Sequence, residues 1–169
     1  MIATATLLKA QQLPEEFEAI FREHSEFVYR TAYRVTGSEQ DAEDVLQTLF
    51  LRLLRSPLPP DVQKSPRAYL YRAAVNTALN VVRSRKHQVL TDDIEDAPWN
   101  TPFREELRIA LAELKPRAAE IFILRYVHGY SDVEIGQLLG TSRGTIAISL
   151  FRSRSRLRKS IRKLLGVKS

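Results

Sequence analysis

Basic residues are concentrated at one end of this sequence. Between Arg143 and Ser169 there are nine lysines and arginines and no acidic residue. A helix that is merely solvated usually carries Glu or Asp among its cations, whereas an unbroken cationic surface can neutralise the phosphates of a nucleic acid. We therefore expect this segment to contact nucleic acid, the simpler alternative being a solvated surface helix.

A helix-turn-helix pattern leads into that basic segment. Residues 131–134 form a capping box, Gly140 ends the first helix, and a second helix starts at Thr141 or Ser142. Such a second helix can enter the major groove with its N-terminal residues near base edges, while later cations neutralise phosphates. The opposite side, expected to be buried, carries Ile146, Leu150, Ser153, Leu157, Ile161 and Leu164. The residues expected to contact DNA are Ser142, Arg143, Thr145, Ile148, Arg152 and Lys159.

A second polar stripe lies in the first half of the chain, where no acidic residue occurs between Lys64 and Leu90. Its members recur at spacings of three and four and therefore share one helix face. They are Tyr69, Arg72, Asn76, Asn80 and Arg83. Arginine contacts phosphate, asparagine bonds base edges and tyrosine can stack on an unpaired base, so the stripe fits single-stranded DNA. An ordinary amphipathic helix remains the alternative, with Tyr69 in the core.

Apolar residues at helical spacing predict the elements that hold these side chains. In the first half we expect helices over 14–37, over 38–55 with Ser38 as cap, and over 65–87 with Ser65 as cap, with a proline-rich loop over 56–65. In the second half we expect helices over 102–114, 116–127 (closed by Gly129) and 131–139, followed by the basic helix. The fold is therefore predicted to be all-α, as two small helical domains over 1–90 and 102–169 joined by a short acidic linker over 91–101.

Composition restricts the function classes. The chain is 44% hydrophobic and 27% charged, has no cysteine, and contains no apolar run long enough to span a membrane. We expect a cytoplasmic protein without a membrane partner. Residues 1–96 have a net charge of −2 and residues 97–169 a net charge of +8, which assigns the polyanion-binding surface to the second half.

An enzyme would need a catalytic constellation, and the only candidates are acids in the linker that could ligate a hard cation. These acids are Asp92, Asp93, Glu95 and Asp96. Consecutive acids on a linker need no metal to be soluble, so we expect neither an enzyme nor a cofactor.

Three motifs in this order resemble the extracytoplasmic-function (ECF) sigma factors of bacterial RNA polymerase, over about Phe17 to Leu165. The first is DAEDVLQ at 41–47 followed by Phe50, and the second is PRAYLYR at 66–72 with Asn76. The third is GTI at 144–146 with Arg152, Arg154 and Leu157. The order of the motifs corresponds to the second sigma domain, a short linker and the fourth sigma domain.

The resemblance implies a factor that binds core polymerase, recognises promoter DNA, assists its melting and directs transcription initiation. Asp41, Asp44, Gln47 and Phe50 would lie against the clamp helices of the largest subunit. The stripe on the third helix would meet the melted promoter element, with the 56–65 loop holding a flipped base, and the linker would thread toward the RNA exit channel. The helix-turn-helix would read the distal element and touch the flap, and an anti-sigma factor would be a further partner.

Alternatives remain for these assignments. Asp44 and Gln47 could belong to a solvated helix face, and the whole chain could be an autonomous helix-turn-helix regulator that binds duplex operator DNA. Ala147, Ile148 and Ser149 replace a Lys-Ser-Arg-like run common in the family, which removes two cations from the expected DNA face. Tyr69 stands where the family often has tryptophan and keeps an aromatic face.

Overall fold

The computed structural model describes residues 14–85 and 105–167, and within these ranges the chain forms eight α-helices and no strand. The helices are α1 (Glu15–Thr36), α2 (Glu39–Arg55), α3 (Pro60–Lys64), α4 (Pro66–Ser84), α5 (Glu105–Glu113), α6 (Pro116–Tyr126), α7 (Asp132–Leu139) and α8 (Arg143–Leu164). The all-α prediction is confirmed. The expected linker at 91–101, its acids, the domain boundaries at 90 and 102, and the helix ends expected at His87 and Pro102 lie outside the described residues.

Helices α1, α2 and α4 form the first bundle. Gly37 ends α1 because its φ of 67° is in the left-handed region, where a Cβ would be strained. Ser38 then caps α2 by accepting a hydrogen bond from the Asp41 N–H at 3.4 Å. Val28, Leu70 and Leu79 are fully buried between the helices.

The segment between α2 and α4 differs from the loop that its prolines suggest. It contains the five-residue helix α3, in which Pro60 occupies the first position, where no N–H donor is needed. Val62 is fully buried and anchors this helix to the bundle. The side-chain cap predicted at Ser65 is wrong, because the backbone there has a ψ of 82° and not the extended conformation of the serines that do cap helices in this chain. The backbone N–H of Ser65 closes α3 on the Asp61 carbonyl at 3.0 Å.

Helices α5 to α8 form the second bundle around side chains that are 1% exposed or less: Leu111, Ile123, Leu124, Ile135 and Ile146. Gly129, beyond the end of α6, has the expected positive φ of 71°. Leu164 was expected on the inner face of α8 but is 42% exposed, because the last turns of this long helix extend past the bundle that covers its start.

The two bundles pack directly on one another, with α4 of the first against α5 and α6 of the second. Among the described helices, none is both long enough and apolar enough to cross a lipid bilayer.

Candidate nucleic-acid and protein interfaces

The turn between α7 and α8 is held by local hydrogen bonds. At the start of α7, Ser131 Oγ accepts from the Glu134 N–H at 3.2 Å, and Glu134 Oε2 accepts from the Ser131 N–H at 2.7 Å. The backbone N–H of Ser131 lowers the pKa of the Glu134 carboxyl, since it stabilises the charged form. At the other end, Gly140 adopts a φ of 62° and the Thr141 N–H donates to the Gly136 carbonyl at 2.8 Å. The capping box and the glycine stop are therefore confirmed.

The start of α8 is equally constrained. Ser142 Oγ accepts from the Thr145 N–H at 3.1 Å and lies 2.9 Å from Thr145 Oγ1. Both residues remain exposed, as does Arg143. The two hydroxyls therefore have a structural role as a helix cap in addition to the predicted DNA contact.

The outward face of α8 combines apolar and cationic side chains. Ile148 is 54% exposed, and Arg152 and Lys159 are exposed further along the helix. Phe151, which the sequence argument did not single out, is 68% exposed on this face. It follows Ile148 by three residues and adjoins the buried Leu150, so the helical period could have identified it.

The polar stripe of α4 lies on one face, as predicted, but the second bundle covers much of it. Arg72 Nε donates to Glu120 Oε1 at 2.6 Å, and this glutamate on α6 is only 2% exposed. Arg83 donates to the carbonyls of Ala112 at 2.6 Å and Leu114 at 3.1 Å, at the end of α5.

The remaining members of the stripe are placed differently. Asn76 is half-buried, and its Oδ1 is buried without a hydrogen-bond partner among the described residues. Tyr69 is half-buried against the core, and Asn80 is exposed, with its Oδ1 accepting from Arg83 at 2.8 Å. Only part of the stripe is thus accessible in this arrangement.

An aromatic cluster completes the contact between the bundles. The His128 ring lies edge-on to Tyr71 with centroids 4.3 Å apart, and Phe27 approaches it at 6.3 Å. Burial, and then the nearby Arg34 and Arg67, lower the pKa of His128 to about 4. Burial also raises the pKa of Tyr71 well above its usual value. Both rings are therefore neutral near pH 7.

The residues predicted to bind a protein partner on α2 divide into two pairs. Asp44 and Gln47 are exposed, as a docking surface requires. Asp41 is buried and pairs with Arg85, the residue that follows α4, and Phe50 is 4% exposed.

The buried pair cannot take part in direct docking in this structure, because each side chain already has internal contacts. Phe50 packs edge-on against Phe17 and Phe21, with centroids 6.0 and 4.8 Å away. Two further side chains of this helix, Leu51 and Leu54, are 46% and 40% exposed and were not predicted from the sequence.

Within residues 14–85 and 105–167, no three His, Asp or Glu side chains are grouped so that they could hold a metal ion.

Two family models match successive parts of the chain. A model of sigma-70 region 2 matches residues 20–88, and a model of sigma-70 region 4 matches residues 104–157. The ECF RNA polymerase sigma factor SigE of Mycolicibacterium smegmatis is 32% identical over 87% of this chain, but the match spans only 62% of that protein. The RNA polymerase sigma-E factor of Streptomyces avermitilis is 30% identical over 86% of this chain and 85% of its own length.

One similar solved structure is that of the sigma factor RpoE in complex with the anti-sigma factor NepR from Bartonella quintana. The alignment covers 92% of this chain and 100% of the matched chain. Its sequence identity is 19% and its TM-score 0.49. The two family models and the relative matched over most of its length agree on one assignment. The chain belongs to the extracytoplasmic-function sigma factors of RNA polymerase.

Proposed function

We propose that this chain binds core RNA polymerase, recognises promoter DNA through both domains, assists promoter melting and directs transcription initiation. The observation that carries the proposal is the outward face of α8, where Ile148 and Phe151 are 54% and 68% exposed beside the exposed Arg152. The capping hydrogen bonds of the turn fix the orientation of this helix, and no other described helix of the second bundle covers its outward face. Such a helix can enter a major groove.

On α8, different side chains are proposed to contact bases and phosphates. Ile148 and Phe151 offer apolar contact, for which the methyl group of thymine is the natural partner in the major groove. Arg152 and Lys159 neutralise phosphates. At the N-terminus of the helix, Ser142, Arg143 and Thr145 stand where free N–H groups and the helix dipole favour a phosphate.

On α4 the proposed ligand is the melted strand of the promoter. Arg72 and Arg83 would contact phosphates, Asn76 and Asn80 would bond base edges, and Tyr69 would stack on an unpaired base. Support for this role comes from the shared face of these residues and from the absence of acidic residues between Lys64 and Leu90.

On α2 the proposed partner is the pair of clamp helices in the largest polymerase subunit. Asp44 and Gln47 supply polar contacts, and the exposed Leu51 and Leu54 on the same helix supply apolar area that a solvated helix does not need. Asp41 and Phe50 would support this surface from within, through the ion pair with Arg85 and the rings of Phe17 and Phe21.

The further partners are proposed in the same way. The second domain would touch the polymerase flap, an anti-sigma factor would hold the protein inactive, and all of this would take place in the cytoplasm. The alternative of an autonomous operator-binding regulator is not favoured, because one chain matches both region 2 and region 4 of the sigma-70 factors.

The test is transcription of genomic fragments by core polymerase with and without the protein, followed by mapping of transcript starts. We expect new start sites that depend on the protein, preceded by a shared pair of sequence elements. If no start depends on it while the protein alone binds specific duplex sites, the regulator is the correct function.

A further inference from the structure

Two arginines of α6 reach the two ends of α7. Near the start of α6, Arg117 donates to the carbonyl of Leu139, the last residue of α7. Near the end of α6, Arg125 donates to the carbonyl of Tyr130 at 3.1 Å and lies 3.5 Å from the carboxylate of Asp132, the first residue of α7. The two helices therefore run in opposite directions, and α6 contacts each end of α7 through one arginine.

The spacing of the two arginines matches the length of α7. They are eight residues apart on α6, which is about 12 Å at a helical rise of about 1.5 Å per residue. Helix α7 has eight residues and is therefore about as long. A helix this short is marginal in water by itself. Its position therefore depends on contacts with other elements, and α6 provides such contacts at both ends.

Arg117 satisfies a backbone group at the turn between α7 and α8. The last carbonyls of a helix have no donor within the helix. At the end of α7 the Thr141 N–H donates to the Gly136 carbonyl at 2.8 Å, whereas the Leu139 carbonyl accepts from Arg117. The helix dipole also favours a cation at this end. One side chain of α6 is thus bonded to the residue from which the turn departs.

Arg117 is itself held by a buried acid. Its Nη1 lies 3.5 Å from Oε2 of Glu120, one turn further along α6, and this glutamate is 2% exposed. A buried carboxylate is costly without a cation beside it, so the pair restricts where the guanidinium can move. The arginine therefore forms a fixed link between α6 and the end of α7.

We infer that Arg117 and Arg125 are positioning residues for the recognition of duplex DNA. They hold α7 on α6, and the hydrogen-bonded turn after α7 transmits that position to α8, whose outward face carries the proposed base contacts. Neither arginine touches DNA in this role. The inference rests on the proposed function, because it takes the distal promoter element as the ligand of α8.

The test measures binding of the holoenzyme to two duplex fragments at several salt concentrations. One fragment carries the distal element found by mapping transcript starts, and the other has a mixed sequence. Arg117→Met and Arg125→Met keep a long apolar stem but remove the donors, so each should weaken binding to the distal element by about tenfold. Affinity for the mixed sequence and the slope of log affinity against log salt should stay unchanged, because the phosphate contacts are retained.

Lys115→Met is the matched control at the start of α6. It removes one positive charge two residues before Arg117, from an exposed side chain for which the described residues provide no ion pair or hydrogen bond. Both affinities should stay within about twofold of the parent protein. If an arginine variant lowers the salt slope by about one, as expected for Arg152→Ala, that arginine contacts a phosphate and the inference is wrong. Equal losses for the two fragments, or no loss for either, would also overturn it.

Amide hydrogen exchange measures the turn without DNA. The Thr141 N–H is protected by its bond to the Gly136 carbonyl, so Arg117→Met should speed its exchange by about tenfold. The amide of Ile123, in the core of the same bundle, should exchange at the parent rate. Equal acceleration of the two amides, or none at Thr141, would mean that Arg117 does not hold the turn. If the holoenzyme selects no promoter, the proposed function is wrong, while the Thr141 amide still reports whether Arg117 positions the turn.

Discussion

Gly136 determines the geometry of the turn that aims α8. A Cβ added at this buried position would meet the Thr141 carbonyl oxygen at 2.7 Å, closer than real Cβ atoms approach backbone. The backbone cannot easily withdraw, because the Thr141 N–H donates to the Gly136 carbonyl at 2.8 Å. Gly136→Ala should therefore displace the turn and weaken this hydrogen bond.

The expected cost follows from opposing terms. Alanine in a helix gains about 0.5–1 kcal/mol over glycine. Overpacking costs about 1–3 kcal/mol and the weakened hydrogen bond about 0.5–1.5 kcal/mol. The net loss of unfolding free energy should be about 2 kcal/mol, within a range of about 0.5–4 kcal/mol, which lowers the melting temperature by several degrees.

Gly144 provides the matched control in the adjoining helix. A Cβ there would have Ser142 Oγ as its nearest neighbour at 3.8 Å, an ordinary contact. Gly144→Ala should leave the melting temperature unchanged or raise it slightly. Thermal unfolding followed by circular dichroism compares the two variants directly. If the melting temperature of Gly136→Ala equals or exceeds that of Gly144→Ala, position 136 has room for a Cβ and the predicted clash with the Thr141 carbonyl is wrong.

Other substitutions separate binding from folding. Asp44→Arg with Gln47→Ala should weaken core binding in a competition assay while changing the unfolding free energy by only about 0.5 kcal/mol, because both side chains are exposed. Arg152→Ala should lower the slope of log affinity against log salt by about one, whereas Ile148→Ser should relax preference at one thymine without changing that slope. His128 has its pKa lowered to about 4 in the folded protein, so the folded state binds fewer protons than the unfolded chain. Stability should therefore fall as pH decreases from about 6.5 toward about 4 and be flat above that range, and His128→Gln should flatten the slope in urea titrations.

Each of these predictions has a result that would contradict it. Parallel losses of core binding and melting temperature would mean that Asp44 and Gln47 support the fold. Equal affinity for thymine and uracil at every upstream position would exclude Ile148 as a base reader, since uracil lacks only the methyl group. An unchanged pH slope in His128→Gln would show that the ring is not buried in solution.

The sequence by itself determined seven of the eight described helices and several of their local ends, but not the short helix α3. The capping box at Ser131 and Glu134, the glycine stops at Gly37 and Gly140, and the buried face that carries Leu150 all depend on contacts within a few residues along the chain. Such contacts leave a direct pattern in residue type and spacing. The exposure of Phe151 could also be predicted from the sequence, because it follows from the same helical period.

Only the tertiary structure decided which helix faces are covered. Arg72 and Glu120 are 48 residues apart, and no periodicity within either helix indicates that they meet. Asp41 and Phe50 were expected at a docking surface, but they are buried against Arg85, which follows α4, and against the aromatic rings of α1. Leu164 fits the inner face of α8 by spacing and is exposed because the bundle ends before it. A helix pattern records which residues share a face, whereas burial depends on which distant element packs against that face.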